Sequence, residues 1–135
     1  MMGGPFRLRG GYIWPIEAAE SRPHVQLSMW RLYEVADARC EALSRHLVGY
    51  VLEREHAQVS SPVVRVDAES HCCVTRSGRV YELVGAPGHC EEASFTWDAW
   101  MHVNGISHAQ DVTEDLWRRF QGDSGKTRFS DLEGG

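Results

Sequence analysis

The sequence lacks any long hydrophobic run. No stretch of 18 apolar residues occurs, so we expect no transmembrane helix and no membrane partner. The start of the chain, MMGGPFRLRGGYIW, also lacks the apolar segment and the small-residue cleavage site of a signal peptide. These absences predict a soluble protein of the cytoplasm.

Lysine is almost missing as well. Lys126 is the only lysine among 14 basic residues, and the formal net charge is −5. Residues 61–135 carry seven basic and twelve acidic residues, so the acidity belongs to the second half of the chain. Nucleic-acid binding normally needs a basic face for phosphate contacts, and only Arg118 and Arg119 cluster positive charge. We therefore expect no nucleic-acid partner.

Cysteine is sparse. Four cysteines at positions 40, 72, 73 and 90 do not form the pattern of a disulfide framework, and cytoplasmic thiols stay reduced. Structural zinc sites place ligands two to four residues apart on a turn, whereas Cys72 and Cys73 are adjacent and would point to opposite faces of a strand. A metal-binding alternative stays open, with a ligand set of His71, Cys73, His89 and Cys90.

Motifs for nucleotides, cofactors and nucleophilic serines are missing too. The loop VGAPGH follows a predicted strand and precedes a predicted helix, but it has neither the GxxxxGK[ST] nor the GxGxxG pattern. No serine stands in a GxSxG elbow. The sequence predicts no cofactor and leaves open whether the protein is an enzyme, with the balance against it.

What the chain has is an ordinary globular composition. Its 135 residues, 42% of them hydrophobic, are enough for one domain with a real core. We predict a single domain over residues 1–121. Residues 122–135 are small and polar and are predicted to form a flexible tail.

Residues 23–46 have the periodicity of an amphipathic helix. Apolar side chains recur at spacings of three and four residues, with charged residues on the opposite side. The segment HVQLSMW at its start also alternates with a period of two, so a strand is the alternative there. The apolar helix face would comprise Met29, Leu32, Tyr33, Ala36, Cys40, Leu43 and Leu47.

The middle of the chain is rich in β-forming residues. We predict strands over residues 47–55 and 60–67, followed by a hairpin in which SHCCVT and RVYELV flank the turn RSG. Gly78 is expected to adopt a positive φ in that turn. A further short strand is predicted around Phe6–Trp14, ended by Pro15.

Two helices are predicted near the end of the chain. The first covers 93–103 and stops at Asn104–Gly105, and the second covers 108–120, with a capping-box pattern at Ser107 and Gln110. The predicted fold is α+β. An antiparallel β-meander of about four strands is packed on one face by an N-terminal helix and the two C-terminal helices.

These C-terminal helices hold a surplus of large apolar side chains. Tryptophan and methionine build cores but are also enriched at the centres of protein interfaces. One group of residues is therefore predicted to be core alone or core together with an interface or pocket: Trp97, Trp100, Met101, Trp117 and Tyr81.

Four residues are candidates for chemistry. Cys90, beside His89, precedes a predicted helix whose dipole favours a thiolate, although Glu91 and Glu92 oppose it. An ordinary loop thiol is the alternative. His102 and His108 flank VNGIS and could form an acid–base pair, or they are simply solvated histidines.

Two segments resemble a known group of sequences. VSSPVV at 59–64 and VTRSGRVYEL at 74–83 are similar to small uncharacterised bacterial proteins, some of them carried on mobile elements such as integron gene cassettes. The similarity covers residues 59–88 and extends more loosely to the W..W...NG...DVT run at 97–113. It implies a bacterial accessory protein of the cytoplasm. It implies no catalytic residue, because these proteins have no established activity.

Three functional hypotheses follow. The first is a non-catalytic module that binds another protein or itself, as a homodimer. The second is a small-molecule-binding protein or enzyme with a pocket between the sheet and the C-terminal helices, and the third is a zinc-stabilised fold. The pocket of the second hypothesis would be lined by Tyr81, His89, Cys90, Trp97, Trp100, His102 and His108.

Overall fold

The computed structural model describes residues 6–8, 11–13, 23–36 and 42–122. Its elements form an α+β fold with a mixed sheet and two helices. In chain order they are β1 (Phe6–Leu8), β2 (Gly11–Ile13), β3 (His24–Ala36), β4 (Leu43–Val51), β5 (His56–Val59), β6 (Val63–Asp67), β7 (Cys72–Thr75), β8 (Val80–Val84), α1 (Glu91–Val103), β9 (Ala109–Asp111) and α2 (Thr113–Phe120).

The main sheet has the strand order β5-β4-β3-β8-β7-β6, with β9 added to β3. Its two ends, β5 and β6, are joined by residues 60–62 alone, so the sheet curls until its ends meet. Ser60, the first residue of this link, is anchored to β4, because its N–H donates to the Leu47 carbonyl at 2.8 Å and its hydroxyl accepts from the Leu47 N–H at 2.9 Å. The result is a small barrel.

The pairing of β3 with β8 is parallel, whereas every other pair in the main sheet is antiparallel. Successive strands of a meander run in alternating directions. When a meander with an odd number of strands closes, its first and last strands therefore run in the same direction and pair in parallel. The bent segment formed by β5 and β6 acts as one such strand, which makes five. The prediction of a purely antiparallel meander of about four strands was therefore wrong in strand number and in pairing.

The barrel interior is the larger of two cores. It is filled by apolar side chains from β3, β4, β7 and β8, and α2 closes it from one end. Trp30 is fully buried there, and its ring lies 5.8 Å from that of Phe120 and 6.2 Å from that of Trp117. The buried members are Val25, Leu27, Trp30, Leu32, Leu47, Val51, Cys73, Tyr81, Leu83, Val112, Leu116 and Phe120.

The second core lies on the outer face of the sheet, under α1. Ala93 and Trp97 of α1 pack there against Val35, Val48 and Val59. Neighbouring residues of a strand point to opposite faces, so Leu47 faces the barrel and Val48 faces α1. The two C-terminal helices thus lie on opposite faces of the sheet, which corrects the prediction that they pack on one face.

The described parts of the helix predicted over 23–46 form β3 and the start of β4. The periodicity was misleading because both faces of β3 are covered, with Leu32 in the barrel interior and Tyr33 under α1. A β-bulge also interrupts the two-residue alternation, since the register shifts between Ser28 and Arg31 and Met29 has a φ of 47°. Met29 itself is 40% exposed. The alternative based on two-residue alternation was the right one for the start of this segment.

Gly49 permits the close approach of β4 to the bulge. A Cβ atom at this position would lie 2.7 Å from Cγ of Leu27 and 2.8 Å from the carbonyl oxygen of Ser28. Such distances are too short for any side chain, and the second neighbour is backbone that cannot rotate away. The tight packing beside the bulge therefore requires glycine.

Several local predictions are confirmed. The hairpin forms from β7 and β8, and Gly78 has a φ of 92°. Cys72 is half-buried while Cys73 is buried, as opposite faces require. The first C-terminal helix is α1, which begins at Glu91, two residues before the predicted start, and ends at Val103 with Asn104 as its C-cap and Gly105 after it at a φ of 68°.

Other boundaries differ from the predictions. The strand predicted over 47–55 is β4 as far as Val51, followed by a turn, and the one predicted over 60–67 begins at Val63. The strand predicted around Phe6–Trp14 is instead two paired strands, β1 and β2.

The second C-terminal helix is also shorter than predicted. Residues 109–111 form β9 on β3, and the Asp111 carboxylate accepts from the N–H of Thr113 at 3.0 Å where α2 begins. The predicted capping box at Ser107 and Gln110 was therefore wrong, because the chain is extended there. Gly122, with a φ of 75°, follows the end of α2 as expected.

Part of the predicted tail, 123–135, lies outside the described residues, as do Pro15 and Cys40. Within the described ranges, neither helix is long and apolar enough to cross a membrane.

Candidate functional site

A ladder of aromatic rings connects the sheet to α1 on the outer face. Tyr33 of β3 stacks on Trp97 at 4.6 Å, and Trp97 stacks on Trp100 at 5.0 Å with planes only 16° apart. His46 of β4 completes the ladder, with its ring 4.6 Å from that of Trp100 and tilted by 50°. The spacing of Trp97 and Trp100 on one side of α1 is what allows both to face the strands.

His46 is the most unusual member of this ladder, because it is a polar side chain that is only 5% exposed. Its Nδ1 lies 2.8 Å from the carbonyl oxygen of Ser60. A carbonyl only accepts, so Nδ1 carries the proton, and in the neutral ring Nε2 is then the acceptor. The hydroxyl of Ser44 lies 2.8 Å from Nε2 and therefore donates to it.

The surroundings of His46 keep it neutral. Burial lowers the pKa of the imidazole below its usual value, and the positive charge of Arg76 lowers it further. The hydrogen bond to the Ser60 carbonyl opposes this shift without cancelling it. The ring is consequently a free base at neutral pH, with Nε2 directed at a hydroxyl.

Ser44 and His46 both line an open cavity of about 230 Å³. The cavity lies between the end of the sheet and the C-terminal end of α1. One wall is Trp100, and Arg76 from the turn between β7 and β8 forms part of another. The other lining residues are Val35, Ala42, Leu43, Pro62, Asn104 and Ile106.

The charge of this cavity is opposite to that of the whole chain. None of the described residues that line it is acidic, and Arg76 contributes a guanidinium. Within the described ranges, no carboxylate is within ion-pair distance of Arg76. The backbone N–H of Arg76 donates to the Pro62 carbonyl at 2.8 Å, which fixes the turn at the cavity wall. The cavity therefore combines an aromatic face, a cation and a serine–histidine pair.

A smaller cavity of about 120 Å³ lies at the other end of the aromatic ladder, near Tyr33. Arg31 lines it and is already engaged, with Nη2 2.9 Å from the Asp111 carboxylate and Nη1 3.3 Å from the Gly88 carbonyl. Burial, followed by the charge of Asp111, raises the pKa of the Tyr33 hydroxyl. Arg31, the one cation among the described residues that line this cavity, is thus already paired with a carboxylate.

Three residues predicted from the sequence meet at this smaller cavity: His89, Cys90 and Trp97. Cys90 is the N-cap of α1, where its sulfur accepts from the N–H of Ala93 at 3.4 Å. Its position before the helix thus has a structural use.

The remaining predicted residues are spread over the molecule. Trp100 lines the larger cavity, and Met101 is half-buried in the core under α1. Trp117 packs beside Trp30 at the end of the barrel. Tyr81 lies inside the barrel, where its hydroxyl accepts from Gln58 at 2.7 Å. His102 and His108 are exposed and line neither cavity.

The four residues of the possible metal set are not brought together. His71 stacks on Phe120 at 4.5 Å at the barrel end, and Cys73 is buried inside the barrel, where burial raises its pKa to about 12. His89 and Cys90 lie at the smaller cavity on the outer face. Among the described residues no group of three or more His, Cys, Asp or Glu side chains could hold a metal ion.

Sequence reasoning missed Ser44, His46 and Arg76. The first two lie on β4, where positions i and i+2 share a face, but this segment was predicted partly as the end of a helix, in which they would diverge. Arg76 was recognised only as a turn residue. The signal that could have identified the site is the Ser-x-His pattern on a correctly predicted strand.

Comparison of the chain with protein-family models, with curated proteins and with solved structures gave no match. The assignment of function therefore starts from the geometry of the cavity.

Proposed function

We propose that this chain is a small-molecule-binding protein whose ligand is a small carboxylate with a flat apolar body. The observation that carries the proposal is the convergence of Trp100, Arg76 and the Ser44–His46 pair on one cavity. Binding sites of this type are mostly apolar, with a few polar groups that orient the ligand.

The walls suggest the chemistry of the ligand. The ring of Trp100 is half-buried between Trp97 and His46, and the part that lines the cavity offers apolar surface to the edge of an aromatic or unsaturated group. Arg76 presents a planar fork of donors that matches a carboxylate, and no acidic lining residue competes with it. Asn104 also lines the cavity, where its amide nitrogen donates to the Trp100 carbonyl at 2.8 Å.

The size of the cavity limits the ligand. Pockets for drug-sized molecules have volumes of roughly 300–1,000 Å³. This cavity, at about 230 Å³, lies below that range. A ligand with a single ring and one carboxylate fits such a space better than a nucleotide or a peptide does.

The test is a binding measurement with benzoate, phenylacetate and indole-3-carboxylate, each compared with its neutral amide. Titration calorimetry and quenching of tryptophan fluorescence are the readouts. We expect the carboxylates to bind and the amides to bind at least tenfold more weakly. Arg76→Ala should abolish this preference, because it removes the cation.

Arg65→Ala is the matched control, since Arg65 is exposed on β6 and does not line the cavity. Equal binding of acids and amides, or a preference that survives in Arg76→Ala, would contradict the proposal. So would the absence of binding by every probe at millimolar concentration.

Self-association is a second candidate function. Leu43 lines the cavity and is 67% exposed, and Val103, next to the lining residue Asn104, is 64% exposed. Exposed apolar side chains near one opening are typical of a contact surface. Sedimentation should show a dimer that Leu43→Asp together with Val103→Asp converts to a monomer. A monomer at high concentration would count against this second function.

The expected setting of either function is the cytoplasm of a bacterium, as an accessory protein of the mobile-element type that the sequence resembles.

A further inference from the structure

We propose that Ser44 is a nucleophile and His46 its general base, and that the cavity hydrolyses small carboxylic esters. The inference deepens the proposed function and rests on it, because it assigns the same cavity a reaction on an ester whose acid product is the proposed ligand class. It uses only water as a co-reactant.

The two steps balance without a cofactor. In the first, Oγ of Ser44 attacks the ester carbonyl carbon while Nε2 of His46 takes the hydroxyl proton. The alcohol then leaves with that proton, which produces an acyl-Ser44 ester. In the second, His46 takes a proton from water, the hydroxide attacks the acyl group, and the carboxylic acid is released as Ser44 regains its proton.

The geometry matches what this chemistry requires. The contact between Ser44 Oγ and His46 Nε2 is 2.8 Å, within the range of a productive nucleophile–base pair. On the other side of the ring, Nδ1 of His46 donates to the Ser60 carbonyl oxygen at 2.8 Å. This hydrogen bond fixes the tautomer, so that the basic nitrogen, Nε2, faces Ser44. In nucleophile–base pairs of this kind a third group orients the base, and here the Ser60 carbonyl has that position.

The ring of His46 is also held against rotation. Trp100 lies against it at a centroid distance of 4.6 Å, and the neighbouring Leu47 is tied to Ser60 by two hydrogen bonds. The base and its orienting carbonyl therefore belong to one rigid corner of the barrel, formed by β4 and the link between β5 and β6. Rigid support of this kind keeps a catalytic pair in register.

A purely structural pair would not need access to a cavity. His46 could satisfy both ring nitrogens in a closed core, but here Ser44 is half-exposed and both side chains line the 230 Å³ space. Arg76 lines the same space and can stabilise the negative charge that develops on the carbonyl oxygen. A nucleophile, a base and a cation thus meet where a substrate can enter.

The rate is expected to be modest. The Ser60 carbonyl carries no full negative charge, so it stabilises the imidazolium formed during attack less than a carboxylate would. The natural reporters are therefore activated esters, 4-nitrophenyl acetate and 4-nitrophenyl benzoate. The acylated enzyme should accumulate and be detectable by mass spectrometry of the intact wild-type protein.

The first measurement needs no variant. After brief reaction with the activated ester at neutral pH, peptide mapping should find the acyl group on Ser44. Mapping to the thiols of Cys72 or Cys90, or to scattered hydroxyls, would overturn the inference. A fluorophosphonate probe should give the same assignment, because it also requires an activated serine.

Variants test the roles of the two residues. Ser44→Ala and His46→Gln should each lower turnover by about 100-fold, the usual contribution of a nucleophile or a general base. Ser107→Ala, at an exposed loop position, is the matched control and should keep the wild-type rate. Turnover by Ser44→Ala at the wild-type rate would overturn the inference.

Two separate measurements distinguish this inference from the proposed function. Calorimetry of the wild-type protein with benzoate reports carboxylate binding, and a thermal unfolding curve shows whether Ser44→Ala is folded. Carboxylate binding without acylation of Ser44 would support the proposed binding function and overturn the proposed catalysis. Acylation of Ser44 without carboxylate binding would contradict the proposed ligand class but would still identify Ser44 as a nucleophile.

Discussion

Trp97 of α1 stacks on Tyr33 of β3, with ring centroids 4.6 Å apart and planes inclined by 22°. Trp97 is 6% exposed, whereas Tyr33 is only partly buried. The pair links α1 to β3 and is the first contact of the ladder that ends at His46. The position of the cavity wall formed by Trp100 depends on it, because both tryptophans belong to the same helix.

Replacing Trp97 by alanine is expected to lower the free energy of unfolding by about 3–5 kcal/mol, the usual cost of removing a buried tryptophan. Urea denaturation would measure it, with Val103→Ala as an exposed control expected to stay within about 0.5 kcal/mol. A double-mutant cycle with Tyr33→Leu should give a coupling of roughly 0.5–1.5 kcal/mol for the stack. Additive effects would show that the rings do not interact.

Gly49→Ala is expected to destabilise the barrel by about 1–3 kcal/mol, because the added methyl group meets the Leu27 side chain and the Ser28 carbonyl. Gly88→Ala is the matched control, since its methyl group would lie 3.5 Å or more from Met29. Thermal unfolding of both variants compares them directly. Equal melting temperatures would mean that β4 can shift away from the bulge at no cost.

Stability should fall as the pH drops below about 6.5, the usual pKa of histidine in an unfolded chain. The folded protein holds the pKa of His46 lower, so in this range the unfolded state binds more protons and acid favours it. The loss through this one group is at most about 1.4 kcal/mol per pH unit.

His46→Gln should flatten this pH dependence between pH 5 and 7, while His102→Gln, at an exposed position, should leave it unchanged. Chemical denaturation at several pH values gives the slopes. A slope in His46→Gln identical to that of the wild type would mean that the imidazole is not held neutral by its surroundings.

Cys73 should resist maleimide in the folded protein, because it is buried inside the barrel and its pKa is raised to about 12. At pH 8 the thiol is therefore protonated, and the thiolate is the form that reacts. Cys72 and Cys90 are both partly accessible and should react first. Site-resolved mass spectrometry follows each thiol, and urea should bring Cys73 to the rate of the other two. Fast labelling of Cys73 without denaturant would show that the barrel opens readily.

The elements that could be predicted from the sequence are those stabilised by neighbours in the chain. The hairpin around Gly78 and the helix ending at Asn104 carry their own turn and stop signals. The closure of the sheet has no such local signal, because the parallel partner of β3 lies more than 50 residues away in sequence.

The strand β3 was missed for a different reason, since it is covered on both faces and the apolar side chains of Leu32 and Tyr33, on opposite faces, gave the spacing of one helix face. The same error hid the candidate site. Ser44 and His46 share a face only on a strand, and the segment before Leu47 was predicted as helix. Arg76 reaches them through the closure of the barrel, which no local pattern encodes. Of the residues lining the larger cavity, Trp100 was the one predicted, because helix periodicity alone identified it.

The parallel pairing of His24 with Val80 also sets an order of events during synthesis. At about 5–20 residues per second, the ribosome needs roughly 2–10 s to make β8 after β3 has been completed. During that interval one edge of β3 stays open, with the apolar side chains of Val25 and Leu27 uncovered. The barrel of a nascent chain therefore cannot close until residue 84 has left the exit tunnel, and until then this edge is open to other chains.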